Sequence, residues 1–497
     1  MIKNIFWLFI LSISNLISQN IFTPLEKSDF TKLTSHEELK QFIQKVDEKS
    51  ELIKSEVLTK SIEGRELFAV YFSKDGFGKG ESKIKVLIFA QQHGNEQSGK
   101  EGALLLINEL LKPENQYLFD KIDFVLVPQM NPDGSEKNQR RNGNSMDLNR
   151  NHLILTEPET IGLHNLFDQY LFEVTMDVHE YWPFGEEWKK LGFRRNFDET
   201  VGAMTNINIS NELRELSYKE YLPFIFEYIS DKGFSVFHYL PGGPVGMDYL
   251  RYSTFDINDG RQSFGIQNTF SFIQEGMNGE NYSTDNIEHR AKGQMTGMLG
   301  LLKFSYDNKD KIKNLVSAER NKLLENSIDE KVSIQLDHYS DGNELKLNLL
   351  SYTSNKDTLI TVNDFRSVVK AIYEVKRPKG YLIPKSYPEL KNWIDNHNLK
   401  YSEVELDKCD KIEEYFIDSI GTIDFERDTI INPLISVNET KNKIDLSQYY
   451  FVQVNQIKNN LIVIALEPKS MLGLVTYKQF EHLLKAGGKY PILRVVN

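Results

Sequence analysis

His93 and Glu96 stand three residues apart in the run QQHGNEQSG. An imidazole at the end of a strand and a carboxylate in the first turn of the following helix can point at one spot. His179, in TMDVHEYW, supplies a third donor at the end of another apolar run. Two His and one Glu give a tetrahedral zinc three protein ligands and leave one position open, as a catalytic zinc requires. The pattern implies a zinc hydrolase holding one Zn2+ per chain. Glu180 is a competing donor. Neighbours on a strand face opposite ways, so Asp177 shares the side of His179 and is placed to orient its ring.

A hydrolytic zinc needs a general base beside its open position. Glu275, in NTFSFIQEG, ends a further apolar run and precedes a glycine. A carboxylate at the end of a buried strand calls for a partner or a role. Positive groups cluster in QRRNGNSMDLNRN, which contains Arg140, Arg141, Asn149 and Arg150 downstream of the turn NPDG. The planar guanidinium fork of Arg grips a carboxylate through two hydrogen bonds, so this cluster suits an anionic end of a substrate.

These residues need a frame. Apolar runs at 67–72, 84–90, 124–128, 174–178 and 269–273 read as strands, and 100–111 and 160–171 read as helices between them. Alternation of this kind predicts an α/β fold, a mixed and mostly parallel sheet covered by helices on both faces. Ligands of such sheets bind beyond the carboxyl ends of the strands, where His93, His179 and Glu275 all fall. Residues 22–63 read as polar and helix-like. The stretch 182–267, rich in Gly, Pro and aromatics, reads as an insertion forming loops or a lid over the crevice. A helix over 287–304 would close a catalytic domain spanning 20–308. A helical connector over 309–330 and an accessory β or α/β domain over 331–497 would follow.

The whole chain sets further bounds. Its 497 residues exceed one core and call for two or three domains. The net charge of -12 argues against nucleic acid as the main partner. Lys3 and an apolar run over 5–17 read as a signal peptide, residues 1–19, shorter than the ~20 residues a membrane span needs. The expected location is therefore periplasmic or extracellular, with no stable membrane insertion after cleavage. Cys409 is the single cysteine, so no disulfide forms within the chain and the folded cores must carry its stability.

Taken in order, HGNE, NPDG, RRN, DLNRN, a strand-end His and a strand-end Glu resemble the M14 zinc carboxypeptidases, the carboxypeptidase A superfamily, over about residues 22–304. SIEGREL resembles that family's early pattern. The resemblance implies that His93, Glu96 and His179 hold zinc and that Glu275 activates the zinc-bound water as general base. It implies that Arg140 stabilises the oxyanion and that Asn149 and Arg150 bind the terminal carboxylate of a peptide. Tyr249, Tyr252 and Tyr282 are candidates for the tyrosine that closes on the substrate. The activity so implied is removal of C-terminal residues from peptides by an exported metallocarboxypeptidase. A long aromatic insertion also suits an amidase acting on cell-wall peptides or other amides, and a binding protein without catalysis is the third possibility.

Overall fold

The β-branched and aromatic runs around the expected site become strands because apolar side chains on both faces leave no face for water. In the strand Ile84–Ala90, Val86 and Ile88 point into one buried apolar layer, whereas Leu87 and Phe89 point into another. The computed structural model describes residues 21–80, 82–325, 330–404, 407, 409–425, 428–440 and 444–496. The expected signal peptide, residues 1–19, lies outside them.

Eight strands form the main sheet. In spatial order they are Ile53–Lys60, Glu66–Phe72, Ile122–Val127, Ile84–Ala90, Val174–Tyr181, Phe270–Met277, Glu199–Gly202 and Val236–His238. The four central strands run parallel, the first two pair antiparallel with their neighbours, and Glu199–Gly202 pairs antiparallel with Phe270–Met277 but parallel with Val236–His238. Helices Gln97–Leu111 and Ile287–Asp307 cover one face. Helix Pro158–Tyr170 and the short helix Gly260–Gly265 pack on the other. The architecture is thus a mixed α/β sheet with helices on both faces, together with a C-terminal antiparallel sheet.

Two details depart from the sequence reading. The segment 22–63 contains the helix His36–Lys49 but also the edge strand Ile53–Lys60. Most side chains of that strand are exposed or half-buried, so it has no apolar run to announce it. The stretch 182–267 is more than loops over a crevice. Glu199–Gly202 and Val236–His238 extend the main sheet, while Phe193–Arg195 and Leu250–Arg251 pair with strands of the C-terminal region. Backbone pairing, rather than hydrophobic patterning, holds these short strands.

Helix Lys309–Leu324 follows the last helix of the sheet layer and packs back on it, with Arg320 donating to the carbonyls of Leu171 and Phe172. Beyond it, strands Gly380–Pro384, Tyr449–Gln453, Lys411–Phe425, Asp428–Glu439 and Leu493–Val496 build the second sheet with two shorter strands, Tyr401–Ser402 and Gly488–Lys489. The largest cluster of buried apolar residues runs through both regions, joining Ile88 and Phe272 to Ile334, Trp393 and Leu466. Cys409 is exposed. Among the described residues, no helix is long and apolar enough to cross a membrane.

Candidate metal centre

A sharp reversal after the strand Ile84–Ala90 delivers the first two donors. Gln91 takes φ +60°, and its side-chain amide donates to the Gly94 carbonyl, turning the chain directly into His93 and Glu96. Gly94 lies against the NPDG segment so closely that a Cβ there would come within 2.1 Å of the Gly134 backbone. Asn131 locks the two segments together, accepting from Gly134 N and donating to the carbonyls of Gln92 and Arg140. Asp133 in turn accepts from Ser61, Arg65 and the Glu63 amide, which gives the SIEGREL segment its structural reason.

Strand register delivers His179 and Glu275. The two residues are partners in the parallel ladder of Val174–Tyr181 and Phe270–Met277, so their side chains leave the sheet on one face. Glu180 faces the other way, where its buried carboxylate accepts from Ser98 Oγ at 2.6 Å and pairs with Arg290. It is therefore a buried ion-pair partner and not a competing metal ligand.

His93, Glu96 and His179, all buried, offer donor atoms that lie within 4.8 Å of one another. Glu96 sits between the rings, with Oε1 2.7 Å from His93 Nδ1 and Oε2 2.8 Å from His179 Nδ1. The two Nδ1 atoms are 3.1 Å apart. Behind them, each Nε2 faces a carboxylate oxygen: Asp147 Oδ1 at 3.0 Å from His93 and Asp177 Oδ1 at 2.9 Å from His179. Asp147 holds the His93 proton on Nε2 through a hydrogen bond and the Asp177 charge beside His179 Nε2 favours a proton there, which leaves both Nδ1 lone pairs aimed at the same place. Nitrogen lone pairs and a carboxylate converging on one point repel each other unless a cation or a shared proton lies among them, and two imidazoles with one carboxylate are a donor set that fits zinc.

Charge follows the same geometry. Burial alone would raise the Glu96 carboxyl, but His93 and His179 hold it far below the ordinary range. Burial opposes charge on His179 as well, yet Asp177 and Glu96 keep its pKa well above the usual value. A proton on that ring must leave when a metal binds. Asp147 is half-buried, and against the desolvation it suffers its carboxyl is held low by His93, Arg140 and Arg150. Glu275 differs: burial raises its carboxyl, with Glu96 adding to the effect and the two histidines opposing it.

The basic residues divide by exposure. Arg140, 46% exposed, donates from Nε to Asp147 and brings another guanidinium nitrogen to 3.6 Å from Glu96. Asn149 is buried and Arg150 is exposed at its side, donating to the Asn149 carbonyl. Of the tyrosines, Tyr249 is half-buried beneath the Arg366 guanidinium at 3.9 Å, and Tyr252 packs edge-on to Phe365, so both face the C-terminal region. Tyr282 is 73% exposed. Asp147 and Asp177 hold the two imidazoles. Asp147 lay in plain sight in DLNRN, but only the folded contact to His93 singles it out.

Residues 39–181 match the family model described as zinc carboxypeptidase, peptidase family M14. That segment contains all three donors of the cluster. The chain is 25% identical over 447 residues to "Carboxypeptidase 2" of Trichophyton rubrum, covering 88% of this chain and 81% of that protein. It is 30% identical over 239 residues to human "Carboxypeptidase D", which covers 40% of this chain and 17% of that much longer protein. Residues 39–181 thus carry the match to the M14 zinc carboxypeptidases, a family of metallocarboxypeptidase hydrolases, and the His93–Glu96–His179 cluster within them fits that family's zinc.

Proposed function

We propose that the protein is an exported metallocarboxypeptidase that removes residues from the free C-terminus of peptides. One observation carries the reading: the register partner of a metal-donor histidine is Glu275, a carboxylate of raised pKa on the same face of the sheet. Bound zinc supplies Lewis acidity at the scissile carbonyl. Glu275 takes a proton from the attacking water and returns it to the leaving amine, and a raised pKa makes it a better acid for the second transfer. Arg140, at the mouth of the cluster, offers its guanidinium to the negative charge that grows on the carbonyl oxygen. Asn149 and Arg150 hold the terminal carboxylate and so select the last peptide bond. Export is supported by the apolar run over 5–17 behind Lys3.

Matched peptides ending in a free acid or a C-terminal amide test the reading. The zinc-loaded protein is expected to shorten the free acid at least tenfold faster. Equal rates on both would remove the carboxylate clamp from the account.

A further inference from the structure

Gln92 is fully buried and lies between the metal centre and the residues assigned to the substrate carboxylate. Its Nε2 donates to Asp177 Oδ2 at 2.8 Å and to Asn149 Oδ1 at 3.2 Å. Its Oε1 faces His152 Nε2 at 2.8 Å. One amide group has two N–H donors and one carbonyl, so all three bonds form together in only one orientation of the side chain.

The direction of donation then follows along the network. His152 must carry its proton on Nε2 to donate to Gln92, which leaves its Nδ1 to accept from His164 Nε2 at 2.9 Å. Burial holds the pKa of both rings down, that of His152 at about 4, so both are neutral and each keeps one donor and one acceptor. At one end, Asp177 takes the Gln92 proton on Oδ2 and presents Oδ1 to His179 Nε2. At the other, Asn149 Oδ1 accepts from both Gln92 and Gly260 N, the latter at 2.8 Å. The Asn149 amide cannot flip without losing both bonds, and its NH2 group is the end left for a carboxylate.

The geometry points to Gln92 as a positioning residue that, through one buried amide, fixes both the metal-ready tautomer of His179 and the donor face of Asn149. This rests on the carboxypeptidase reading for the role of Asn149, whereas the link to His179 stands on the metal cluster alone. The consequence is coupling, because a single change at Gln92 loosens the zinc site and the carboxylate site together. Neither Asp177 nor Asn149 alone has that property.

The test is Gln92→Met, which keeps the side chain's length and removes its donors. Zinc affinity is read by competition with a chelator, and binding of a free dipeptide to the zinc-loaded protein by calorimetry. The expected result is a zinc dissociation constant weakened roughly 10- to 100-fold, with dipeptide affinity at saturating zinc lowered about tenfold. Should that variant not fold, His152→Leu, which removes the donor that orients Gln92, is expected to shift both constants the same way by less. Unchanged constants, or a shift in only one, would overturn the shared role, as would a lowered melting temperature with both affinities intact. A wild-type protein that binds zinc and dipeptide but cleaves no peptide would contradict the carboxypeptidase reading and leave this inference standing. A wild type that binds no dipeptide would overturn the Asn149 arm.

Discussion

At the scale of single residues, the proposed function divides the work, with the His93–Glu96–His179 cluster holding a cation and Glu275 moving a proton. His93→Ala removes a donor whose place no neighbour fills, so metal analysis of the purified variant is expected to find the zinc lost. Glu275 donates nothing to the cluster. Glu275→Gln should therefore retain stoichiometric zinc while kcat falls by about 10²–10⁴, and full peptide turnover by that variant would remove Glu275 as the base. A second carboxylate titrates far from this chemistry. Glu159 is buried and its pKa is raised to about 7, first by desolvation and also by Glu157, against hydrogen bonds that include one from Asn142. The folded state then holds a proton that the unfolded chain releases near 4.5. Stability from this group is complete below about 4.5 and is lost as pH rises through about 7, a change on the order of 2–3 kcal/mol. Thermal melts of Glu159→Gln against the wild type check the sign. The variant's advantage should widen from pH 4.5 to pH 8, and a gap constant with pH would refute it.

At the scale of elements, the strands that carry the chemistry were legible because each is an unbroken apolar run. The strands bearing Leu87, Val125, Met176 and Phe272 all formed within a few residues of their expected bounds. The convergence of His93, Glu96 and His179 was legible for a related reason: all three stand near strand or helix ends, where side-chain type and spacing survive in the sequence. What escaped the reading depends on partners distant in the chain. Glu199–Gly202 is too short to show a period, and it is held by the ladder to Phe270–Met277. Gln92 carries no sequence signal, and its place emerges only from contacts to residues 57 to 85 positions away. The turn between the first two donors gives a sharp test. A Cβ on Gly94 would meet the backbone of Gly134 and Ser135 rather than a flexible side chain. Gly94→Ala is expected to cost about 1–3 kcal/mol and to weaken zinc binding, measured by denaturant unfolding and chelator competition. An unchanged midpoint would show that the loops tolerate separation.

At the scale of the whole molecule, the C-terminal region is built onto the sheet that carries the metal cluster. Trp393 Nε1 donates to the Leu153 carbonyl, Tyr477 Oη accepts from Asn258, and one apolar cluster spans both regions. Sequence texture marked a change near residue 331, but not this shared core, because packing between distant segments leaves no local period. A chain ending at Glu330 would expose the apolar surface that Ile334, Trp393 and Leu466 cover, so it is expected to aggregate on expression, as size-exclusion chromatography would report. The central claim is that this sheet presents a zinc centre acting on free peptide C-termini. Mass spectrometry of a defined peptide mixture, incubated with the zinc-loaded protein and with the same protein stripped by a chelator, tests it most directly. Successive loss of single C-terminal residues in the zinc-loaded sample alone is the predicted result. Internal cleavage, or identical spectra from the two samples, would contradict it.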